Sequence, residues 1–279
     1  MTGSRSLLPI LIVVVVLTGL SAAAAQSPAS APPAVGQIPP AIPLLPRCSE
    51  IAAQGDHFDQ LGTACQYALS PESLPNFICE ETIHRWTNGH KLDLVTTEVT
   101  VIHGHDRYSN YTRDGKPIPN LQNTGGWVSN ALFGSELNAI FRANTKSAFT
   151  FKRETGSHGS RATEFNYQFE RSGTPHFDLA DSYPEMAGVI TIGEKTGQLR
   201  RVETKATKVD PNRRLKSYKT VMDYGELPVE GLGKLLLPIS GKVNVCLRGG
   251  DCFRNELSFH DCRKFGSEAT ILPSVEPEP

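Results

Sequence analysis

The sequence lacks an excess of charge of either sign. It contains 28 Lys and Arg against 29 Asp and Glu, a formal net charge of −1. A protein that holds nucleic acid or an anionic membrane surface through charge usually carries a clear basic excess. The composition therefore argues against both partners.

The sequence also lacks an apolar run of the length that a transmembrane helix needs. The run Leu7 to Leu20 has 14 residues, whereas a membrane-spanning helix needs about 20. Arg5 precedes this run, and the small residues Ser21 to Ala25 follow it and end in an A-x-A site, an order typical of a secretory signal peptide. We therefore predict that residues 1–25 are cleaved and that no integral membrane anchor remains. The protein is then exported through the inner membrane and is either periplasmic or secreted.

Catalytic motifs are absent as well. The cysteines form no C-x-x-C pair, no G-x-S-x-G elbow occurs, and Gly231 and Gly233 lack the remaining glycine of a phosphate loop. His103, His105 and Asp106 could begin a metal site or form a solvated turn between strands, and we favour the turn. We predict neither enzymatic activity nor a cofactor.

All six cysteines lie beyond the signal peptide, which indicates disulfides in an oxidising compartment. Two of them flank a short Gly-Gly turn, where antiparallel strands would bring the sulfurs together. Two more flank a short helical segment, and the last two would join the first strand to the last. A zinc site is the alternative, which the missing C-x-x-C pair disfavours. The predicted disulfides join Cys48 to Cys65, Cys79 to Cys262 and Cys246 to Cys252.

Composition divides the exported part of the chain. From Gln26 to Pro46, seven of 21 residues are proline, which favours extended, flexible chain over a packed core. Between Cys48 and Leu69 the apolar residues recur near the helical period, with a break near Gly55. We predict a disordered linker over 26–46, a short helical segment over 47–70, a β domain over 71–267 and a disordered tail over 268–279.

Alternation of apolar and polar residues predicts most of the strands. The clearest hairpin joins the β-branched segment Gly188 to Ile192 to a second strand through a turn at Gly197. In that second strand Val202 and Thr204 share one face, the period of a half-buried antiparallel strand. Further strands are predicted at Phe77 to Trp86, Leu92 to His103, Arg107 to Arg113, Leu215 to Tyr224, Lys234 to Leu247 and Cys252 to Phe259, the first two joined by a type I′ turn at Asn88-Gly89.

One convincing helix interrupts the strand series. A Gly-Gly pair opens it, and Phe133, Leu137, Ile140 and Phe141 form its apolar stripe. Because this stripe must be buried, a sheet that curves around the helix satisfies both elements. The predicted fold class is mainly β, a strongly curved antiparallel sheet (half-barrel) of about ten strands wrapped on one or two helices.

Two resemblances point the same way. Gly188-x-Ile190-x-Ile192, followed by Thr196-Gly197 and Leu199 to Val202, resembles the hairpin of periplasmic lipoprotein-localisation factors and outer-membrane lipoprotein-sorting proteins. That resemblance implies a half-barrel that holds acyl chains between its sheet and its helix. Leu74 to Trp86, Gly125 to Phe141 and the hairpin together are similar to an uncharacterised group of secreted bacterial proteins, over most of the chain from 74 to 265.

Aromatic side chains are predicted on the inner face of the half-barrel, where they either pack as a solid core or line a cavity. We predict an exported, non-enzymatic protein that transiently binds a hydrophobic ligand, a lipid or a lipidated partner, in that cavity. The alternative is an envelope-associated or secreted interaction module with a solid core, which binds protein or polysaccharide on its outer face. The candidate ligand-binding residues are Phe149, Phe151, Phe165, Tyr167 and Phe169.

Overall fold

A computed structural model describes residues 43–70, 74–102, 105–122, 124–128, 135–156, 161–170, 185–194 and 197–266. The helices in this part are α1 (Pro46–Ala52), α2 (Phe58–Leu69) and α3 (Ser135–Phe141), and a 3₁₀ turn follows at Ala143–Thr145. The strands are β1 (Phe77–Thr87), β2 (His90–Ile102), β3 (His105–Arg113), β4 (Lys116–Pro117), β5 (Ala148–Thr155), β6 (Ala162–Glu170), β7 (Glu185–Gly193), β8 (Leu199–Lys208), β9 (Leu215–Glu230), β10 (Gly233–Leu247) and β11 (Cys252–Lys264).

These eleven strands form one unclosed, curved sheet. Its order is β4-β3-β2-β1-β11-β10-β9-β8-β7-β6-β5, so the strand that comes first in the chain pairs with the last one in the interior of the sheet. Neighbouring strands are antiparallel, and the end of β11 also pairs in parallel with β9 at Cys262 and Val229. The predicted fold class, a curved antiparallel sheet with helices, is confirmed.

One row of apolar residues crosses the buried face of the sheet from β6 to β2. A row forms because directly paired residues of neighbouring strands point to the same face. A Cβ at Gly241 would lie 2.4 Å from the Met222 sulfur, so the methionine side chain occupies the space that this glycine leaves. In order, the row consists of Phe165, Ile190, Val202, Met222, Gly241, Leu257, Ile83 and Val95.

A second row beside it is largely polar. We call it the polar row, and in the same strand order it consists of Tyr167, Gly188, Thr204, Thr220, Val243, Asn255, Arg85 and Asp93.

The polar row holds the segment that lies over the sheet. This covering segment comprises residues 118–128 and α3, and three side chains of the row donate hydrogen bonds to it. Buried polar groups need such partners, which makes these bonds a fixed point of the packing. They run from Thr220 Oγ1 to Glu136 Oε1 (2.7 Å), from Asn255 Nδ2 to the Trp127 carbonyl (2.9 Å) and from Arg85 Nη1 to the Gly125 carbonyl (3.0 Å).

The two N-terminal helices pack closely because of Gly62. A Cβ at this position would lie 2.7 Å from the Ala52 Cβ, so only glycine allows α1 and α2 this approach. Asn138 of α3 donates a hydrogen bond to the Ala68 carbonyl of α2 (3.2 Å). The helices therefore form one unit, with the predicted break near Gly55 between α1 and α2.

Three disulfides tie together different parts of this architecture, and all three predicted pairings are confirmed. One joins α1 to α2, one joins the paired strands β1 and β11, and one closes the β10–β11 hairpin. They are Cys48 to Cys65, Cys79 to Cys262 and Cys246 to Cys252.

Two local predictions can be compared with the backbone. Asn88 and Gly89 both have positive φ, 51° and 82°, as the predicted type I′ turn requires. The strand predicted to end at Tyr224 instead continues to Glu230. It continues because the Ile239 side chain of β10 packs where a side chain at Gly225 would lie, with an Ile239 carbon 3.3 Å from that Cβ position.

Candidate ligand-binding site

Four of the five predicted aromatic residues form a buried layer. Phe149 lies on β5 and the other three on β6, where every second residue faces the helices. The pairing of Phe149 with Tyr167 brings the two strands' rings side by side. The layer, called the aromatic layer below, consists of Phe149 (6% exposed), Phe165 (0%), Tyr167 (2%) and Phe169 (3%).

Helices cover the aromatic layer through ring contacts. Phe58 of α2 meets Phe165 edge-on, with ring centroids 5.2 Å apart. Phe141 of α3 stacks on Phe149 at 5.5 Å. Such contacts stabilise beyond the area they bury. In this structure the rings are packed, and the helices are the elements that would have to move to admit a ligand.

The fifth aromatic residue, Phe151, lies at the margin of the layer. Its ring stacks on His57, which precedes α2, at 5.0 Å, and meets Phe165 edge-on at 6.3 Å. It is nevertheless 42% exposed, because β5 is the last strand of the sheet and only one neighbouring strand flanks it. Phe151 therefore presents an apolar surface where the helices meet the edge of the sheet.

Tyr167 anchors the aromatic layer to the polar row. Its hydroxyl donates to the Glu203 carbonyl (3.0 Å) and lies 2.6 Å from the Thr204 hydroxyl. The ring can cross β7 only because Gly188 has no side chain, since a Cβ there would lie 2.6 Å from the tyrosine oxygen. Burial raises the pKa of Tyr167 well above its usual range.

A buried ion pair lies at the other end of the polar row. Arg85 Nε and Nη2 each donate to one oxygen of Asp93 at 2.6 Å, and Arg113 Nε adds a contact of 2.7 Å from β3. Arg85 also donates to the Thr124 hydroxyl (3.1 Å). This bidentate geometry satisfies both buried charges and links the strands β1 to β3 to the covering segment.

Glu81 is buried on the same face without a hydrogen-bond partner at either carboxyl oxygen. It lies on β1 opposite Thr97 of β2 and Phe259 of β11. Burial, and after it the charge of Asp106 on β3, raises the pKa of Glu81 well above its usual range. Burial and the charge of Glu81 in turn raise the pKa of Tyr111. The four strands thus enclose a polar cluster.

Inspection of single motifs missed Glu81 and Arg85, although the sequence contains their signal. Residues 77 to 85 alternate, and the face with Phe77, Cys79 and Ile83 also carries both charged residues. A charged residue at the apolar phase of a strand needs a partner in the interior. That pattern could have indicated them.

The buried carboxyl of Glu81 predicts that the protein becomes less stable as the pH rises. Because the folded state keeps a proton that the unfolded chain releases, the free energy of unfolding decreases from the ordinary glutamate pKa of 4.5 upward to the raised pKa of the folded protein. We expect a slope of up to about 1.4 kcal/mol per pH unit in this window. Urea unfolding over a pH series measures it.

Glu81→Gln should flatten that slope, and Glu80→Gln should leave it unchanged. Glu80 is the preceding residue on β1, and its side chain is 45% exposed. Hydrogen bonds lower the pKa of Glu98 and Glu256, and those groups lose their stabilising effect only below the same ordinary value. An equal slope in wild type and Glu81→Gln would contradict the assignment.

The other motifs give no site among the described residues. His103 lies outside them, His105 is exposed, and no three His, Cys, Asp or Glu side chains converge there as metal ligands. The basic residues of β8 and the segment after it form ion pairs with neighbouring acids. These pairs are Arg201 with Asp223, Lys208 with Glu185 and Arg213 with Asp210.

Comparisons with known proteins add one structural likeness. Neither the protein-family models nor the curated protein sequences give a match. Among solved structures, the chain is similar to the LolA superfamily protein NE2245 from Nitrosomonas europaea, with 12% sequence identity and a TM-score of 0.40, over 75% of this chain and 93% of that one. The likeness concerns the fold alone. It falls in the superfamily that the hairpin sequence resembles.

The helices offer no candidate for a membrane span. Within the described ranges, none is both long enough and apolar enough to cross a bilayer.

Proposed function

We propose that the protein is an exported, non-enzymatic binding protein that transiently takes up a hydrophobic ligand, an acyl chain of a lipid or of a lipidated protein, between its curved sheet and its helices. One observation carries this proposal: the aromatic layer is covered by short helices rather than by a second sheet. Of these helices, α3 has seven residues and α2 has 12. A cover of this size can move without breaking the sheet.

The way the cover is attached supports the same function. The covering segment is bonded to the sheet through the polar row, so its displacement breaks a small number of hydrogen bonds. Each such bond contributes about 1 kcal/mol net. Phe151, half uncovered at the margin, gives an approaching acyl chain its first apolar contact.

The alternative is an interaction module with a solid core, favoured by the ring contacts that fill the aromatic layer. Its binding surface would be the outer face of the sheet, where a shallow groove is lined by Lys152, Arg153, Glu164 and Arg201. The same face carries Trp86, with the Arg254 guanidinium 4.1 Å from its ring.

Native mass spectrometry with organic extraction separates the two functions. The mature protein is purified from an envelope-bearing bacterial host, and we expect a co-purifying lipid of defined mass. A protein that carries no lipid, and stays without one after incubation with membrane lipids, would contradict a carrier and favour the interaction module.

Phe151→Ser should weaken acyl-chain binding by about 30-fold, measured by titration with a fluorescent fatty acid. The exposed part of the ring covers roughly 80 Å², which corresponds to about 2 kcal/mol if the ligand buries it. Phe265→Ser is the matched control, since Phe265 is exposed to a similar degree, 39% against 42%, and follows β11 instead of flanking the aromatic layer. Equal effects of the two changes would contradict a ligand path past Phe151.

A further inference from the structure

The polar cluster around Glu81 holds an excess of hydrogen-bond acceptors. Both oxygens of Glu81 and Oδ2 of Asp106 are buried and have no hydrogen-bond partner. An orphaned buried acceptor is costly, and a carboxyl group with neither oxygen bonded is more so. Three acceptor oxygens from neighbouring strands therefore face the interior unpaired.

The cations that share this region are already bound elsewhere. Arg85 and Arg113 both contact Asp93. Arg263 donates to Glu98 on the other face of the sheet. No ion pair to Glu81 or Asp106 forms within the described part of the chain, whose ion pairs involve other carboxyl groups. Metal binding is also disfavoured there, because no third His, Cys, Asp or Glu joins the two acids.

A primary ammonium group matches this arrangement in number and in charge. It has three N–H donors and no acceptor, against three unpaired acceptor oxygens. A bound cation also makes the ionised form of Glu81 favourable, which burial alone disfavours.

The apolar row leads from this cluster to the aromatic layer. Ile83 lies two residues from Glu81 on the same face of β1, and the row continues through Leu257, Met222 and Val202 to Phe165. Along the sheet, β1 and β6 are separated by roughly 29 Å, six strand spacings of about 4.8 Å. An amphiphile could therefore place its head group at Glu81 and its chain along the apolar row.

We propose that Glu81 and Asp106 bind the primary ammonium head group of a single amphiphilic ligand whose acyl chain lies along the apolar row toward the aromatic layer. This assignment rests on the proposed function and adds the chemical class of the ligand. The recognised lipid is an aminolipid with N–H donors on its head group, and a quaternary ammonium, which has none, is discriminated against.

Two lysolipids with the same acyl chain test the proposal on the mature protein. Lysophosphatidylethanolamine carries a primary ammonium and lysophosphatidylcholine a quaternary one, while phosphate and chain are identical. We expect the first to bind at least about tenfold more tightly, the effect of charge-assisted hydrogen bonds, measured by isothermal titration below the critical micelle concentration.

Variants assign the preference to the two acids. Glu81→Gln should abolish it while leaving lysophosphatidylcholine binding intact, and Glu80→Gln should preserve it. Asp106→Asn, at a half-buried position, should reduce it and serves if Glu81→Gln does not fold. Equal binding of both lysolipids, or a preference that survives both substitutions, overturns the head-group assignment and leaves the proposed function standing. Binding of neither lysolipid overturns both.

Discussion

Replacing Cys79 and Cys262 together by alanine is expected to lower the free energy of unfolding by about 5 kcal/mol. The two cysteines are 183 residues apart in sequence, so their disulfide restricts nearly the whole described chain in the unfolded state. Alanine suits both positions, because the sulfurs are buried and a serine hydroxyl would add an unpaired polar group. Guanidinium unfolding of the oxidised variant, monitored by circular dichroism, measures the loss.

The control is the double alanine variant of Cys246 and Cys252. This disulfide closes a separation of only six residues, and the same chain-entropy relation gives a loss of about 2 kcal/mol. The larger loss should belong to the pair that joins β1 to β11. Equal losses would show that loop length does not determine the stabilisation and that local packing of the sulfurs does.

Arg85→Met is expected to lower the free energy of unfolding by about 3–5 kcal/mol. The change leaves Asp93, whose side chain is fully buried, with only the half-exposed Arg113 as a charged partner. It also removes the bonds to Thr124 and to the Gly125 carbonyl, which fix the covering segment. Urea unfolding gives the stability loss, and hydrogen exchange of residues 118–128 should increase more than that of β9.

A double variant and a surface pair complete this experiment. Arg85→Met with Asp93→Leu should recover much of the loss, because no unpaired charge then remains buried. Arg201→Met breaks an exposed pair of similar length, 2.9 Å to Asp223, and should cost less than about 1 kcal/mol. If the double variant were as unstable as Arg85→Met alone, the cost would lie in the lost packing of Arg85.

The period of the strands and the disulfide pairing could be predicted because each depends on local pattern. Val95 and Val99, or Leu257 and Phe259, alternate with polar neighbours, and all four are buried as expected. The pairing of cysteines followed from sequence order along hairpins and from the assumption that first and last strands meet. The β-domain and linker boundaries of the sequence analysis remain predictions.

The environment of each residue depends on strand order, which alternation does not determine. Phe151 has the same phase as Phe149 but is exposed, because β5 proves to be an edge strand. Glu81 and Arg85 have the phase of the core, and only the meeting of β1 with β2, β3 and β11 shows that one is paired and the other is not. The candidate site therefore needed the three-dimensional register.

The meeting of β1 and β11 also sets an order of events in biogenesis. A chain that emerges with its amino-terminal end first exposes one edge of β1 until β11 appears, 183 residues after Cys79 if counted to its disulfide partner. At synthesis rates of 5–20 residues per second, that delay is roughly 10 to 40 s. An unpaired strand edge invites association with other chains during this time. A holding chaperone and a late-acting thiol oxidase are therefore the cellular factors on which the yield of folded protein should depend.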